Sequence, residues 1–277
     1  MSPVIMNPLS GIDHTLIGVR DLETARDTWR HLGFTVTPRG RHIGWGTGNY
    51  CIMFRNDYVE LLGIVDPAQF LNRLDTLLET RGEGLLGLAF AAASSSDVHA
   101  AFPDATQPPK DLGRLLELPE GDVTPRFSLV HFNPEATPGL ATFSCTHLTP
   151  EMLRRPEWLN HPNGTIGLDG VTFAAAEPAA LAPAYTALFG APAVQSGQGR
   201  LEVNVGPHTL RFLSPDRLAR RYPGLGGASV MTVRCRDLEA TRAFLTGQGI
   251  PLVAAAGARL VIAPEHATGT VLEFVEG

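Results

Sequence analysis

The stretch Val19-Arg20-Asp21-Leu22-Glu23-Thr24-Ala25-Arg26 returns near the far end of the chain as Val233-Arg234-Cys235-Arg236-Asp237-Leu238-Glu239-Ala240-Thr241-Arg242. Each copy follows a short apolar run and precedes a helix-spaced pattern that a glycine ends, which marks one small supersecondary unit used more than once. The echo continues past the helix, because Tyr58-Val59-Glu60-Leu61-Leu62 is mirrored by Thr270-Val271-Leu272-Glu273-Phe274. Both place a carboxylate inside an apolar strand. The expected plan of each copy is β, α, then three strands.

Working outward, the first unit reads as a strand over Ile12 to Val19 and a helix over Leu22 to Leu32, with Asp21 as N-cap and Gly33 past its end. Leu22, Ala25, Trp29 and Leu32 recur at helical spacing and should face a sheet. Three β-rich segments follow, Phe34 to Pro38, Tyr50 to Phe54 and Tyr58 to Ile64, parted by Gly, Asn and Asp turn signals. After a connecting helix over 67–82, a second unit takes Leu85 to Ala92, a short helix from Ser96, then Leu112 to Leu118, Arg126 to Phe132 and Leu140 to Leu148. A third unit starts at Gly167 and carries a helix over Ala180 to Phe189; a fourth runs from Ala228 to Glu276. The Pro- and charge-rich segment Thr149 to Gly164 reads as a linker. The fold class is therefore α+β, with tandem βαβββ units paired into two domains, 1–160 and 161–277, each built on a concave mixed sheet.

With 277 residues and 44% hydrophobic content, each pair has enough apolar mass for its own core. The formal charge is -6 and the longest basic runs are Arg154-Arg155 and Arg220-Arg221, so no footprint for nucleic acid or anionic lipid exists. No apolar run approaches a membrane span, and residues 1–10 lack a secretion signal, which gives a cytoplasmic expectation. Three distant cysteines, 51, 145 and 235, fit reduced strand or core thiols. A small-molecule substrate is the expected partner, and a homodimer stays open.

Paired units bring the first and last strands of each into one cleft. At those places stand His14, Glu60 and His147, two imidazoles and a carboxylate that suit a divalent transition metal with open positions for substrate. A lone His14 also reads as a hydrogen-bonded core histidine, Glu60 as a strand residue turned to solvent, and His147 as a cap on the cleft beside Phe143 and Cys145.

The opening Gly11-Ile12-Asp13-His14-Thr15-Leu16-Ile17-Gly18-Val19 with Asp21-Leu22, the late Glu60, and the tail Gly269 to Glu276 resemble the vicinal oxygen chelate superfamily, which includes glyoxalase I, extradiol dioxygenases and bleomycin-resistance proteins. More narrowly, His42 with Gly46-Thr47-Gly48-Asn49, then Thr146-His147-Leu148-Thr149-Pro150-Glu151, Arg155-Pro156-Glu157-Trp158 and His161-Pro162-Asn163-Gly164 are similar to its bacterial glyoxalase-like branch. The resemblance implies glyoxalase/dioxygenase-like domains and puts His14 and Glu60 at family metal positions; His147 is placed by unit geometry. Aligning the echoes sets Val230 where His14 stands, and Val171 at the comparable place in the third unit, so the C-terminal pair should hold no such metal. Arg211 is expected to pair with Glu273 there in a structural salt bridge, the alternative being that it holds an acidic substrate in a metal-free cleft.

His42, Thr47 and Asn49 lie in a Gly-rich stretch read as a loop before a strand, turn formers first and substrate contacts second. Trp45 reads as a cleft wall or a surface aromatic, and Gly44-Trp45-Gly46-Thr47-Gly48 is no phosphate loop. His161, on a linker that folds back, is the candidate acid or base beside Glu60. His266 reads as a turn residue before the last strand, and His31, His99, His131 and His208 show no partner spacing. The expectation is a metal-dependent enzyme, Fe(II) first with Mn, Ni or Zn open, working as an oxygenase or as a lyase/isomerase on a substrate with adjacent oxygens. The alternative is a metal-free binding protein of the bleomycin-resistance kind.

Overall fold

The computed structural model describes residues 7–277. Strand β1 (Leu9–Gly18) leads into helix α1 (Leu22–His31), followed by β2 (Gly40–His42), β3 (Thr47–Met53) and β4 (Tyr58–Ile64). Helix α2 (Leu74–Arg81) connects to β5 (Gly84–Ala92), α3 (Ser95–Ala101), β6 (Lys110–Leu116), β7 (Arg126–His131) and β8 (Ala141–His147). The second half comprises β9 (Thr165–Ala174), α4 (Ala182–Phe189), β10 (Val194–Gly197), β11 (Arg200–Val205), β12 (His208–Leu213), α5 (Pro215–Arg221), β13 (Val230–Cys235), α6 (Leu238–Gly247), β14 (Leu260–Ile262) and β15 (Val271–Glu276).

The repeated octet works as a helix start in both places. Asp21 accepts a hydrogen bond from the Thr24 amide at 2.8 Å, and Asp237 accepts one from Ala240 at 2.9 Å. Each side chain satisfies an amide that the helix itself leaves unpaired. Leu22, Ala25 and Trp29 of α1, and Leu238, Thr241 and Leu245 of α6, form the buried faces.

The first two units close on themselves as a barrel in the order β1-β4-β3-β2-β6-β7-β8-β5, while the last two form an open sheet, β10-β11-β12-β9-β13-β15-β14. Pairing of β2 with β6, Gly40 to Leu116 through His42 to Arg114, completes the barrel. In the open sheet the fourth unit has lost one strand, reduced to a single bridge between Val253 and Val261, so β10 has no facing edge to meet.

Several local expectations change. Residues 34–38 are not a strand: Thr37 lies beside β3, donating its amide to the Cys51 carbonyl while its hydroxyl accepts from the Cys51 amide. A side chain thus substitutes for a ladder partner next to Pro38, and pairing starts only at Gly40. The helix read over 67–82 begins at Leu74, because Asn72 and Arg73 have φ of 49° and 65°. Thr47 and Asn49 lie on β3 rather than in a loop.

Two apolar sets divide the barrel's faces. Val59 and Leu61 face outward into a core that continues through Trp29 and Phe34 to Phe274 of the second sheet. Cys51, Met53, Tyr58, Phe127 and Cys145 face inward. This explains the carboxylate in an apolar strand: alternation along β4 turns Glu60 into the barrel, not to solvent. Residues 149–164 pack against the barrel as two short 3₁₀ turns, with Leu153, Trp158, His161 and Asn163 buried.

Candidate active site

Inside the barrel, β1 presents two successive side chains to one face. Ile12 pairs with Phe90 and His14 with the adjacent Ala89, so Asp13 is the extra residue of a β-bulge, and Asp13 and His14 are both buried. Asp13 Oδ2 lies 2.7 Å from His14 Nδ1, and both its oxygens lie 3.0 Å from His147 Nε2. Burial works against its charge, yet the hydrogen bonds from His14 and His147 more than offset this and hold its carboxyl far below the ordinary range. An ionised Asp13 accepts only, so His14 donates to it from Nδ1 and turns Nε2 into the cavity.

Opposite that nitrogen stands Glu60, with Oε2 3.5 Å from His14 Nε2. His42 approaches from β2, its Nδ1 2.8 Å from Thr47 Oγ1 and its Nε2 3.6 Å from Glu60 Oε1. Asn49 donates to Glu60 Oε1 at 2.5 Å. Burial alone would raise the Glu60 carboxyl, but His14, His42, Asn49 and Arg114 together keep it below its usual value. Burial pushes the His42 imidazole down, toward its neutral form. Two imidazoles therefore aim Nε2 at one carboxylate, with each Nδ1 held by a neighbour. Imidazoles held through Nδ1, with Nε2 turned on a buried carboxylate, are how proteins present metal ligands.

Among the described residues, one group of three has ligand atoms all within 4.8 Å of one another: Asp13, Cys145 and His147. Its chemistry fits a metal less well, since Asp13 is already engaged by two imidazoles and burial pushes the Cys145 thiol well above its usual value. The structure thus brings His14 and Glu60 together and adds His42. It sets His147 one step back, bonded to Asp13 with its Nδ1 buried and unpartnered.

His14 stacks on Tyr58 at 4.3 Å between ring centroids and meets Phe143 edge-on. The space left between these side chains is about 40 Å³, enough for one or two waters. Beyond Leu112 and Leu129 lies a vestibule of about 240 Å³ walled by Trp45 and Phe70. His161 lies elsewhere: its Nδ1 accepts from the Thr35 amide and its Nε2 donates to the Met53 carbonyl, each at 3.0 Å. Both nitrogens are engaged by backbone, and burial pushes the imidazole down to about 4. Its contacts are those of a strut.

Arg114 was not singled out by the sequence, where Leu112-Gly113-Arg114-Leu115 reads as plain strand. It is 2% exposed and lines the cavity with Glu60. His208, which shows no partner spacing in sequence, has partners in the fold. Buried, it lies 3.2 Å from Asp57 Oδ2 and accepts from the Ile12 amide, while Asp57 accepts from the Leu168 amide, so these groups tie the two sheets together. The expected Arg211–Glu273 pair does not form: Arg211 lies toward Asp169 and Glu202, and Glu273 is met by Arg259 at 2.8 Å, Arg221 at 3.4 Å and Thr232 at 2.9 Å.

A family model described as a glyoxalase-like domain matches residues 12–189, from the bulged strand through α4. The chain belongs to the glyoxalase-like family. Solved structures share its fold. A hypothetical protein from Staphylococcus aureus superposes with a TM-score of 0.66 at 11% identity, covering 96% of this chain and 98% of that one. A mutant 4-hydroxymandelate synthase from Streptomyces coelicolor gives 0.59 at 13% identity, over 98% and 94%. Homoprotocatechuate 2,3-dioxygenase from Arthrobacter globiformis gives 0.58 at 13%, over 100% and 83%. At such identities the likeness is one of fold. No curated protein matches this glyoxalase-like chain by sequence, and no helix among its described residues is long and apolar enough to cross a membrane.

Proposed function

We propose that the barrel is the active site of a metal-dependent enzyme in which His14, His42 and Glu60 hold a divalent transition metal, Fe(II) first and Mn, Ni or Zn after it. The observation that carries this reading is the convergence of two Nδ1-anchored imidazoles on the buried Glu60 carboxylate. Once bound, the metal would supply Lewis acidity to a substrate that offers adjacent oxygens, in oxygenase or lyase/isomerase chemistry. The protein's own groups prepare that chemistry. Asp13, braced by His147, fixes the His14 tautomer; Thr47 orients His42; Asn49 holds one Glu60 oxygen in place. Tyr58 and Phe143 wall the His14 ring, and the narrow cavity keeps bulk water away from charge that develops beside it. His161 takes no part in this chemistry.

The test is the metal content of protein purified without chelator, compared with Glu60→Gln and His14→Ala. Bound metal in the wild type and its loss in both variants is the expected result. Metal-free wild-type protein that takes up no added Fe(II), Mn, Ni or Zn would remove the enzyme reading and leave the small-molecule binder. Asp13→Asn separates the two donor sets: it should weaken metal binding by about ten- to a hundredfold as a supporting residue does, rather than abolish it.

A further inference from the structure

We propose that Arg114 is an anchor for a carboxylate, and that the ligand of this barrel is a small monoanionic acid with an apolar, ring-sized body. This rests on the barrel being the working site. Arg114 is 2% exposed, and the one hydrogen bond of its guanidinium runs from Nη1 to the Cys51 sulfur at 2.9 Å. Its Nε and Nη2 are buried without a partner. A thiol is a weak acceptor, so a full positive charge stands in the interior with two strong donors unused. Those two donors share one edge of the guanidinium, and that edge matches the two oxygens of a carboxylate.

The surroundings select the rest of the ligand. Arg114 lines the same cavity as His14, His42 and Glu60, so an acid group held by it lies beside the metal donors. At about 40 Å³ the inner space admits a head group and little else. Glu60 already supplies one negative charge there, which disfavours a dianion such as phosphate. The body must lie outward, past Leu112 and Leu129, in the vestibule walled by Trp45 and Phe70. Phe70, at 55% one of the four exposed large apolar side chains among the described residues, stands on that wall, while Ile43 at 54% and Val65 at 38% line a neighbouring pocket that shares Trp45 with it. Gly40 keeps the pocket open: a Cβ there would meet Asn49 and come within 2.9 Å of the Arg114 Cδ.

The experiment is calorimetric titration of the whole protein with phenylacetate, acetate, phenylacetamide and inorganic phosphate, alongside metal analysis of the same samples. Phenylacetate should bind at least tenfold more tightly than acetate, which lacks the body, and than phenylacetamide, which lacks the charge. Arg114→Gln should lose that preference for acid over amide while keeping its metal; Arg114→Lys, which retains charge without the fork, should fall between. The proposal is overturned if phenylacetate does not bind at millimolar concentration, if amide or phosphate binds as well as the acid, or if Arg114→Gln binds phenylacetate like the wild type. Should wild type prove metal-free while phenylacetate still depends on Arg114, the metal reading falls and the anchor stands.

Discussion

Glu60 and Glu273 hold the same post in the two halves of the molecule. His14 pairs with Tyr58 and Glu60 follows two residues on; Val230 pairs with Val271 and Glu273 follows two residues on. Both carboxylates are buried. What differs is their company. Glu273 is neutralised by Arg259 and Arg221 and accepts from Thr232, with Val230 in place of an imidazole. Glu60 faces two imidazole nitrogens and an amide, with no arginine in hydrogen-bonding reach. One carboxylate is met by two arginines of its own fold, and the other is the one the proposed metal reading uses. Closure follows the same division, since the first eight strands form a closed barrel and the last seven an open sheet.

The largest effect expected from breaking this contrast is on stability. Arg259→Met should cost about 4 kcal/mol in chemical denaturation, because it strips the nearest cation from a buried charge. Glu60→Gln in metal-free protein should cost far less or even stabilise, and an equal loss in both would erase the distinction. Next is the segment that straps the halves together. His161 is pushed down to about 4 when folded, so below the unfolded value near 6.5 the unfolded chain takes up the proton first. Its stabilisation is full above about pH 6.5 and fades as pH falls toward 4, a loss of up to about 3 kcal/mol. His161→Phe should flatten denaturation midpoints across that window. Asp57→Asn, which weakens the tie to His208 across the seam, should cost about 2 kcal/mol. The smallest effect probes what the halves share: Asp21→Ala and Asp237→Ala should each cost about 1 kcal/mol, and equally, as matched N-caps.

The octet and its apolar strands made the repeated units legible because capping and alternation are local rules. His14 and Glu60 were legible for the same reason, as polar residues in apolar strands. Asp13 was not: only the bulge turns it into the barrel beside His14. Nor was Arg114, whose meaning depends on β6 meeting β2, a contact between residues far apart in sequence. Arg259 was hidden in a loop before a strand, so Arg211 looked the better partner for Glu273. His208 needed the second sheet to dock before Asp57 came within reach.

The three-residue stave β2 has a further consequence. Two register pairs join it to β3 and three to β6, so it is the shortest seam in the barrel wall, and it carries His42. A ligand that grips His42 together with groups on β1 and β4 would rivet that seam from inside. Occupancy and closure are then reciprocal: whatever frays the stave weakens the grip, and whatever is gripped slows amide exchange along residues 40–42.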